Sequence, residues 1–446
     1  MMPAAVRSGP LAGDRRAVWA IAGPAIASNL APAGLMMVDT AAIGHTGDVQ
    51  ALGAVALGGA IFGILFWGFG FLRMGTTGFA AQALGAGDGE ELRAGMARAA
   101  LLALVLGLLL IAAQQPLAAI AFALLQGSQA VEAQTRAFFD IAIWSAPGVL
   151  MVYGVNGWLI GVQDTRAALK LNALMIGINA GLDALFVVGF AWGVQGVAAG
   201  TLLASWTAAG VGLRMAHRRA SRHAGRHGGG LAAARVFAAP ALVRLLRVNR
   251  DIFIRTLCQM IAYAFFAAEG ARLGDVTVAA NAVLNNFVVI MAQTLDGFAH
   301  ATEALAGAAI GRRDRAGFDR VVRAAAQWAA GAAIAFAIGF AVMGGAVVAL
   351  LTDLAPVRAA ALAYLPWAVA APLVSVWCFL LDGVFIGATR AREMRNAMLA
   401  ALAVFFAVWA VAVPEWGNHG LWLALQCFMA ARALFLLPYF PRLRPN

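Results

Sequence analysis

Charged side chains are scarce in this sequence. Aspartate, glutamate, lysine and arginine together make up 12% of its 446 residues, while 62% of the residues are hydrophobic. A soluble domain is about a quarter charged and about half apolar, so the composition excludes that class. The apolar runs are long and continuous, whereas a membrane β-barrel would show short alternating segments. The sequence therefore predicts an all-α polytopic membrane protein.

Recognisable catalytic motifs are also missing. The sequence contains no GxxxxGK[ST] phosphate-binding loop, no HExxH, no GxSxG and no DDxxD-type acidic motif, which argues against nucleotide-driven transport and against an enzyme. The three cysteines, Cys258, Cys378 and Cys427, lie singly inside apolar runs and have neither disulfide nor metal-ligand spacing. We therefore expect no enzymatic activity, no cofactor and no resident metal.

Apolar segments long enough to cross a bilayer recur twelve times. The first is too long for a signal-peptide core and lacks a small-residue cleavage site, so we expect it to be retained. The predicted spans cover residues 17–43, 51–81, 94–115, 136–160, 168–190, 194–215, 250–271, 277–308, 322–350, 360–387, 395–413 and 418–438.

Basic residues concentrate in alternate loops. The loops on the side of the N-terminus hold almost all of them, including the long link from Arg214 to Arg250, whereas the opposite loops hold only Arg136, Arg272 and Arg358. The positive-inside rule then predicts that both termini are cytoplasmic. It also accounts for the net charge of +11 without nucleic acid as a partner. We expect a bacterial inner-membrane protein that is monomeric in the lipid bilayer.

The two halves of the sequence repeat each other. Short matches recur at one constant spacing near the start of each half and at a second, slightly shorter spacing later. Two six-helix pseudo-symmetric bundles of the same orientation are predicted, namely an N-terminal lobe at 1–216 and a C-terminal lobe at 250–446, joined by a basic linker at 217–249. The matches are Asp48-Val49 with Asp275-Val276, Gly70-Phe71 with Gly297-Phe298, Thr165-Arg166 with Thr389-Arg390, Asn172 with Asn396, and Trp192-Gly193 with Trp416-Gly417.

Several motifs resemble one family. The first half contains VDTAAIGHTGD, LGAVALG and FGFLRMGTTGFAAQALGAGD, and the second contains LGDVTVAANAV, LDGF and LDGVFIGATR. In this order and spacing the chain resembles the multidrug and toxic compound extrusion (MATE) family, and within it the DinF-like branch. The resemblance implies two facing lobes with a cavity between them. It also implies export of amphipathic or cationic organic compounds by alternating access, in exchange for inward H⁺ or Na⁺.

Ionisable residues inside the N-terminal spans are the candidate coupling site. Asp39 lies about 34 Å along the first span from Arg16, so it is still within the membrane, where an acid is costly. Asn179 and Asp183 share one face of the fifth span, and helix lengths place them and Thr201 of the sixth span at the depth of Asp39. Two neighbouring carboxylates in a low dielectric cannot both ionise cheaply, so the pair would take up a proton. Alternatively, Asp39 and Asp183 with the neutral oxygens would hold Na⁺.

The resemblance implies that these residues are the family's N-lobe cation site, and it adds Asn156 on the fourth span. Pro24 and Pro32 deprive the first span of some backbone hydrogen bonds, which predicts a hinge. Protonation of Asp39 would then let the helix bend and release substrate. The alternative is a polar cluster that ties the helices together and has no transport role.

Two further groups of residues are candidates. Methionine and aromatic side chains suit flat hydrophobic cations, although such residues can equally face lipid or pack. The candidate cavity residues are Met36, Met37, Trp67, Arg73 and Tyr153. The acids Glu269, Asp296, Glu303 and Asp382 are a candidate second ion site, or make helix-end or interhelical hydrogen bonds, and His300 between two of them is paired with Arg73 by the repeat.

Three other functions would require different features of the sequence. A lipid-linked oligosaccharide flippase of the same superfamily would line its cavity with arginine, yet only Arg73 and Arg255 are placed in spans. A membrane-embedded enzyme would need a catalytic constellation, which is not recognisable. The paired intramembrane acids argue against a signalling or scaffold protein.

Overall fold

The computed structural model describes residues 11–44, 48–124, 128–223 and 233–445. Twelve helical stretches in these ranges are long and apolar enough to cross a membrane, which confirms the predicted all-α fold and the number of spans. Helices suit such apolar sequence because they satisfy every backbone polar group internally in lipid.

The helices are α1 (Leu11–Asn29), α2 (Ala31–Gly44), α3 (Val49–Gly68), α4 (Phe71–Ala86), α5 (Gly89–Ala112), α6 (Gln114–Leu124), α7 (Gln129–Ala142), α8 (Ala146–Gly161), α9 (Thr165–Asp183), α10 (Gly193–His223), α11 (Ala233–Val236), α12 (Ala239–Arg272), α13 (Asp275–Gly311), α14 (Arg315–Leu351), α15 (Ala355–Gly387), α16 (Ala391–Trp416) and α17 (Asn418–Leu436). A 3₁₀ turn (Ile143–Ser145) joins α7 to α8, a π-helical turn (Ala184–Gly189) follows α9, and a 3₁₀ segment (Leu437–Leu443) follows α17.

The helices form two compact units. Ala27–Leu245 is one, and the other combines the described residues before Ala27 with those after Leu245. We call these the N-unit and the C-unit. They differ from the predicted lobes at two places. Most of α1 packs with the C-terminal half of the chain, and the described part of the predicted linker at 217–249 divides between the units after Leu245. In α1 the ring of Trp19 contacts Phe298 and Trp328, with centroids 5.7 and 5.3 Å apart.

The first span is not one straight helix. α1 ends at Asn29 and α2 begins at Ala31, with a turn at Leu30. The break lies between the two prolines of the predicted hinge, because Pro24 is inside α1 and Pro32 is the second residue of α2. The helix at the same place in the second half, α12, is unbroken for 34 residues.

Two segments differ from the sequence-based spans. The predicted linker at 217–249 is largely helical at its edges, since α10 extends to His223 and α12 begins at Ala239, while residues 224–232 lie outside the described part of the chain. Helix α6 was not predicted. It is apolar but has only 11 residues, too few to cross a bilayer.

The same close helix crossing occurs in both units. In the N-unit two glycines of α8 lie against backbone carbonyls of α4, and in the C-unit two glycines of α15 lie against backbone carbonyls of α13. A Cβ atom at any of them would overlap the facing backbone, so only glycine permits this approach. The pairs are Gly157 with Arg73, Gly161 with Thr77, Gly383 with Ala299 and Gly387 with Glu303. Each residue of the two C-unit pairs follows its N-unit counterpart by the same number of residues.

Backbone geometry corrects part of the predicted repeat register. Gln163 and Thr389 both have a left-handed φ, of 64° and 56°, and they are separated by the same spacing as the glycine pairs. Thr389 therefore corresponds to Gln163, so the predicted matches of Thr165-Arg166 with Thr389-Arg390 and of Asn172 with Asn396 are wrong. Between this loop and Gly193 the N-unit is two residues longer than the corresponding stretch of the C-unit. The π-helical turn after α9 lies in this stretch and has no counterpart in the continuous α16. The spacing of the glycine pairs also relates Arg73 to Ala299, so the predicted correspondence of Arg73 with His300 is wrong.

The glycine crossing generates a stability prediction. Gly383→Ala is expected to lower the free energy of unfolding by about 1–3 kcal/mol, because the added methyl group overlaps the backbone of Ala299. Thermal unfolding of the purified protein in detergent measures this loss. The matched control is Gly339→Ala on α14, where nothing lies within 4 Å of the added atom, so that helix should be unchanged or slightly stabilised. Equal melting temperatures for the two variants would contradict the close crossing.

Candidate functional site

The N-unit brings the predicted coupling residues Asp39, Asn179, Asp183 and Thr201 together. Asn179 and Asp183 on α9 are completely buried, and Asp39 on the neighbouring α2 is half-buried. In the amide orientation that satisfies both acids, Asn179 Nδ2 donates to Asp39 Oδ1 at 2.9 Å and to Asp183 Oδ2 at 3.3 Å. The same amide lies 3.3 Å from Thr201 Oγ1 on α10. The four residues that were predicted to lie at one depth are therefore close together in the structure.

The two carboxyl groups are also close enough to hydrogen-bond each other. Carboxylates only accept hydrogen bonds, so such a bond forms only when one of them carries a proton. The pair therefore has a place for one exchangeable proton. The same oxygens, with those of Asn179 and Thr201, are ligands of the kind that a small hard cation prefers.

The backbone around Asp183 is unusual. The α-helical hydrogen-bonding pattern ends at Asp183 and a π-helical turn, Ala184–Gly189, follows at once. Such turns are rare and occur frequently at functional sites. From α10, Gly200 lies against Asp183 Oδ1, where a Cβ atom would overlap the oxygen. Sequence reasoning missed both features, since neither the turn nor the glycine contact leaves a local signature.

Asn156 does not join this cluster, which corrects its inclusion in the predicted coupling site. Its Nδ2 donates to Asn172 Oδ1 at 2.9 Å, and Asn172 Nδ2 donates to Ser28 Oγ at 2.5 Å. Asn172 lies eleven residues before Asp183 on α9, about 16 Å along the helix. The reason is depth, because α8 ends soon after Asn156, at the opposite end of the spans from the acids.

The candidate cavity residues fall into two groups. Met36, Met37 and Trp67 are 52%, 72% and 43% exposed. Arg73 and Tyr153 are half-buried on α4 and α8, where the close glycine crossing brings them near enough to interact electrostatically.

The four acids of the candidate second ion site do not form one cluster. Glu269 pairs with Arg272 at 3.5 Å, and Asp296 lies 3.0 Å from His300 Nε2. Glu303 is buried on α13. Among the described residues no group of three or more acid, histidine or cysteine side chains has the geometry to hold a metal ion.

Asp382 has cationic partners instead. Its Oδ2 accepts a hydrogen bond from Arg432 Nη2 at 2.7 Å and another from Arg255 Nη2. Arg432 and Arg98 are buried within helices as Arg255 is, so the expectation that only Arg73 and Arg255 lie in spans is wrong. Sequence reasoning grouped Arg98 with the basic loops and did not single out Arg432, although both positions fall within predicted spans. Arg98 is held by Glu91 at 2.6 Å and by the carbonyl oxygens of Arg235 and Val236.

The acid pair generates a spectroscopic prediction. If one proton is shared, the infrared spectrum at neutral pH contains the carbonyl stretch of a buried, protonated carboxylic acid, and Asp183→Asn should remove that component. The matched control is Asp382→Asn, which should leave the component in place because Asp382 accepts hydrogen bonds from two guanidinium groups and does not share a proton with a second acid. An identical band in wild type and Asp183→Asn would show that the pair holds no proton.

Comparisons with known proteins agree with this architecture. The MatE family model matches residues 24–185 and 252–411. The DNA damage-inducible protein F of Escherichia coli (strain K12) is 41% identical over 434 residues, which cover 97% of this chain and 93% of that protein. The probable multidrug resistance protein NorM of Thermotoga maritima is 27% identical over 44% of this chain and 43% of its own length.

Solved structures show the same fold. A crystal structure of MATE in the bent conformation superimposes with a TM-score of 0.84 at 20% identity, covering 97% of this chain and 96% of that one. A MATE structure in the straight conformation gives 0.83 at 19% identity and covers 96% of each chain. With twelve candidate spans among the described residues, two repeated units and a family model that covers most of the sequence, the chain belongs to the MatE (MATE) family of multidrug efflux transporters and is a multi-pass membrane transporter, not an enzyme.

Proposed function

We propose that this transporter exports amphipathic, cationic compounds in exchange for inward protons, and that Asp39 and Asp183 carry the proton. The observation that supports this proposal is the contact of two acids through one amide in the N-unit, where Asp183 and Asn179 are completely buried. An acid pair in a membrane interior is costly, so by default it indicates a functional site, and a pair that can share a proton can bind and release it.

The coupling step follows from the elements that carry the two acids. Asp39 is on α2, which is separated from α1 by the turn at Leu30, and Asp183 precedes the π-helical turn. When both acids are ionised they repel each other, and when one proton is shared they attract. Proton binding therefore changes how tightly α2 is held to α9, and the turn at Leu30 lets α2 respond by bending. Substrate release would accompany this bend.

The similar MATE crystal structures include one bent and one straight conformation. We propose that the two states of α2 correspond to such a pair.

We further propose that the protein is a monomer in the bacterial inner membrane with both termini in the cytoplasm. The support is the alternation of the spans, which assigns the loops at 87–88, 162–164, 312–314 and 388–390 to one end. Most of the basic residues flank these loops, as the positive-inside rule expects for cytoplasmic loops. We call this end of the spans the basic end.

Replacement of the acid tests the proposal. In inverted membrane vesicles with an acidic lumen, Asp39→Asn is expected to lower substrate-driven proton release by about tenfold or more, because a neutral amide cannot carry the proton. The fluorescence of a lumenal pH dye measures the exchange. The control is Asp140→Asn, an exposed acid on α7, which should exchange at the wild-type rate. Substrate/proton exchange by Asp39→Asn at the wild-type rate would contradict the proposal.

Sodium is the second candidate for the coupling ion, because four oxygen-bearing side chains meet at the site. Separately imposed gradients distinguish the two ions. We expect a pH gradient alone to drive substrate uptake into inverted vesicles, and a sodium gradient at equal pH on both sides to give only background uptake. Uptake driven by sodium alone would assign the same residues to a Na⁺ site.

A further inference from the structure

A buried ionic cluster lies in the C-unit, separate from the acid pair of the N-unit. It joins Arg255 of α12, Asp382 of α15 and Arg432 of α17, which are 5%, 6% and 2% exposed. A single carboxylate oxygen, Asp382 Oδ2, accepts hydrogen bonds from both arginines. Two guanidinium groups thus face one carboxylate.

Both arginines also have unused hydrogen-bonding capacity. The Nε atoms of Arg255 and Arg432 are buried and have no hydrogen-bond partner in the described part of the chain. The further contacts that the structure describes for Arg432 are with neutral groups, since Nη1 contacts Met429 Sδ at 3.2 Å and the guanidinium lies 5.7 Å from the ring centre of Phe428.

The same place in the N-unit is uncharged. Ser28 precedes Arg255 by the spacing of the early sequence matches, and Asn156 precedes Asp382 by the spacing of the glycine pairs. There Asn156, Asn172 and Ser28 join three helices by hydrogen bonds alone. The fold therefore does not need charge at this crossing, and the charges of the C-unit call for another explanation.

Charge balance supplies that explanation. Two buried cations against one anion are unfavourable in a membrane domain unless a further anion compensates them. The planar guanidinium fork matches the geometry of a carboxylate. We propose that the Arg255–Arg432 pair is a subsite in the C-unit that binds the carboxylate of an amphipathic substrate. This inference rests on the proposed export function for its physiological meaning.

The position of the cluster fits a loading site. Asp382 lies five residues before the end of α15, and Arg432 four residues before the end of α17, both toward the basic end. That end is the one we assign to the cytoplasm. A compound entering from the cytoplasm would therefore meet the arginines close to the end of the spans at which it enters.

Two dyes that differ at a single group test the proposal. Rhodamine 110 carries a free carboxylate, and rhodamine 123 is its methyl ester. Fluorescence polarisation with the purified full-length protein should show that Arg255→Gln binds rhodamine 110 about tenfold or more weakly than wild type, because a charged hydrogen bond is lost. Its affinity for rhodamine 123 should be unchanged. Arg255→Lys should keep part of the preference, because it keeps the charge.

The variant is chosen so that the protein folds. Arg255→Gln leaves Asp382 and Arg432 as a neutral pair at 2.7 Å, and a monodisperse elution profile confirms that it is intact. Arg442→Gln, an exposed arginine at the end of the chain, is the control and should bind both dyes as wild type does. Equal affinity of the wild type for the two dyes, or an unchanged dye ratio in Arg255→Gln, would overturn the inference. Binding needs no ion gradient, so this result is independent of whether vesicles show proton exchange.

Discussion

The cost of a polar group in lipid is the constraint on which the rest of this structure depends. Every backbone group must be paired, so the chain is helical almost throughout its described length. Every buried side-chain charge must find a partner, so the acids and arginines occur in small clusters that tie helices together. In two clusters the positive and negative charges are unequal in number, namely the acid pair of the N-unit and the arginine pair of the C-unit. These two clusters are the candidate binding sites.

Much of this could be predicted from the sequence. Apolar length gave the twelve spans, and helical rise alone placed Asp39, Asp183 and Thr201 at one depth, because in a membrane depth is nearly a function of residue number. The error at Asn156 has a different origin, because the family resemblance and not the helical rise added this residue to the site. Its depth did not agree with the acids, and the helix lengths already indicated this.

What the sequence could not supply is contact between helices. The pairing of Asp382 with Arg255 and Arg432 joins three helices far apart in the chain, and no local pattern announces it. One signal could have been found, because the segments NGWLIG and DGVFIG each contain two glycines four residues apart and occupy equivalent places in the two halves. They mark the same helix crossing in each half, and they show that Asn156 occupies the position in the first half that Asp382 occupies in the second.

The π-helical turn after Asp183 has a consequence for how the two halves came to differ. A duplicated bundle starts with two equal copies, and here the first copy is longer by two residues in the stretch that holds its buried acid. Its counterpart, α16, continues as an ordinary helix through the same stretch. The two copies can therefore be compared directly within one molecule, because one contains the π-helical turn and the other has an α-helix at the same place. Deleting two residues from this stretch of the first copy would show whether the chemistry at Asp183 depends on the acid alone or also on the longer backbone beside it.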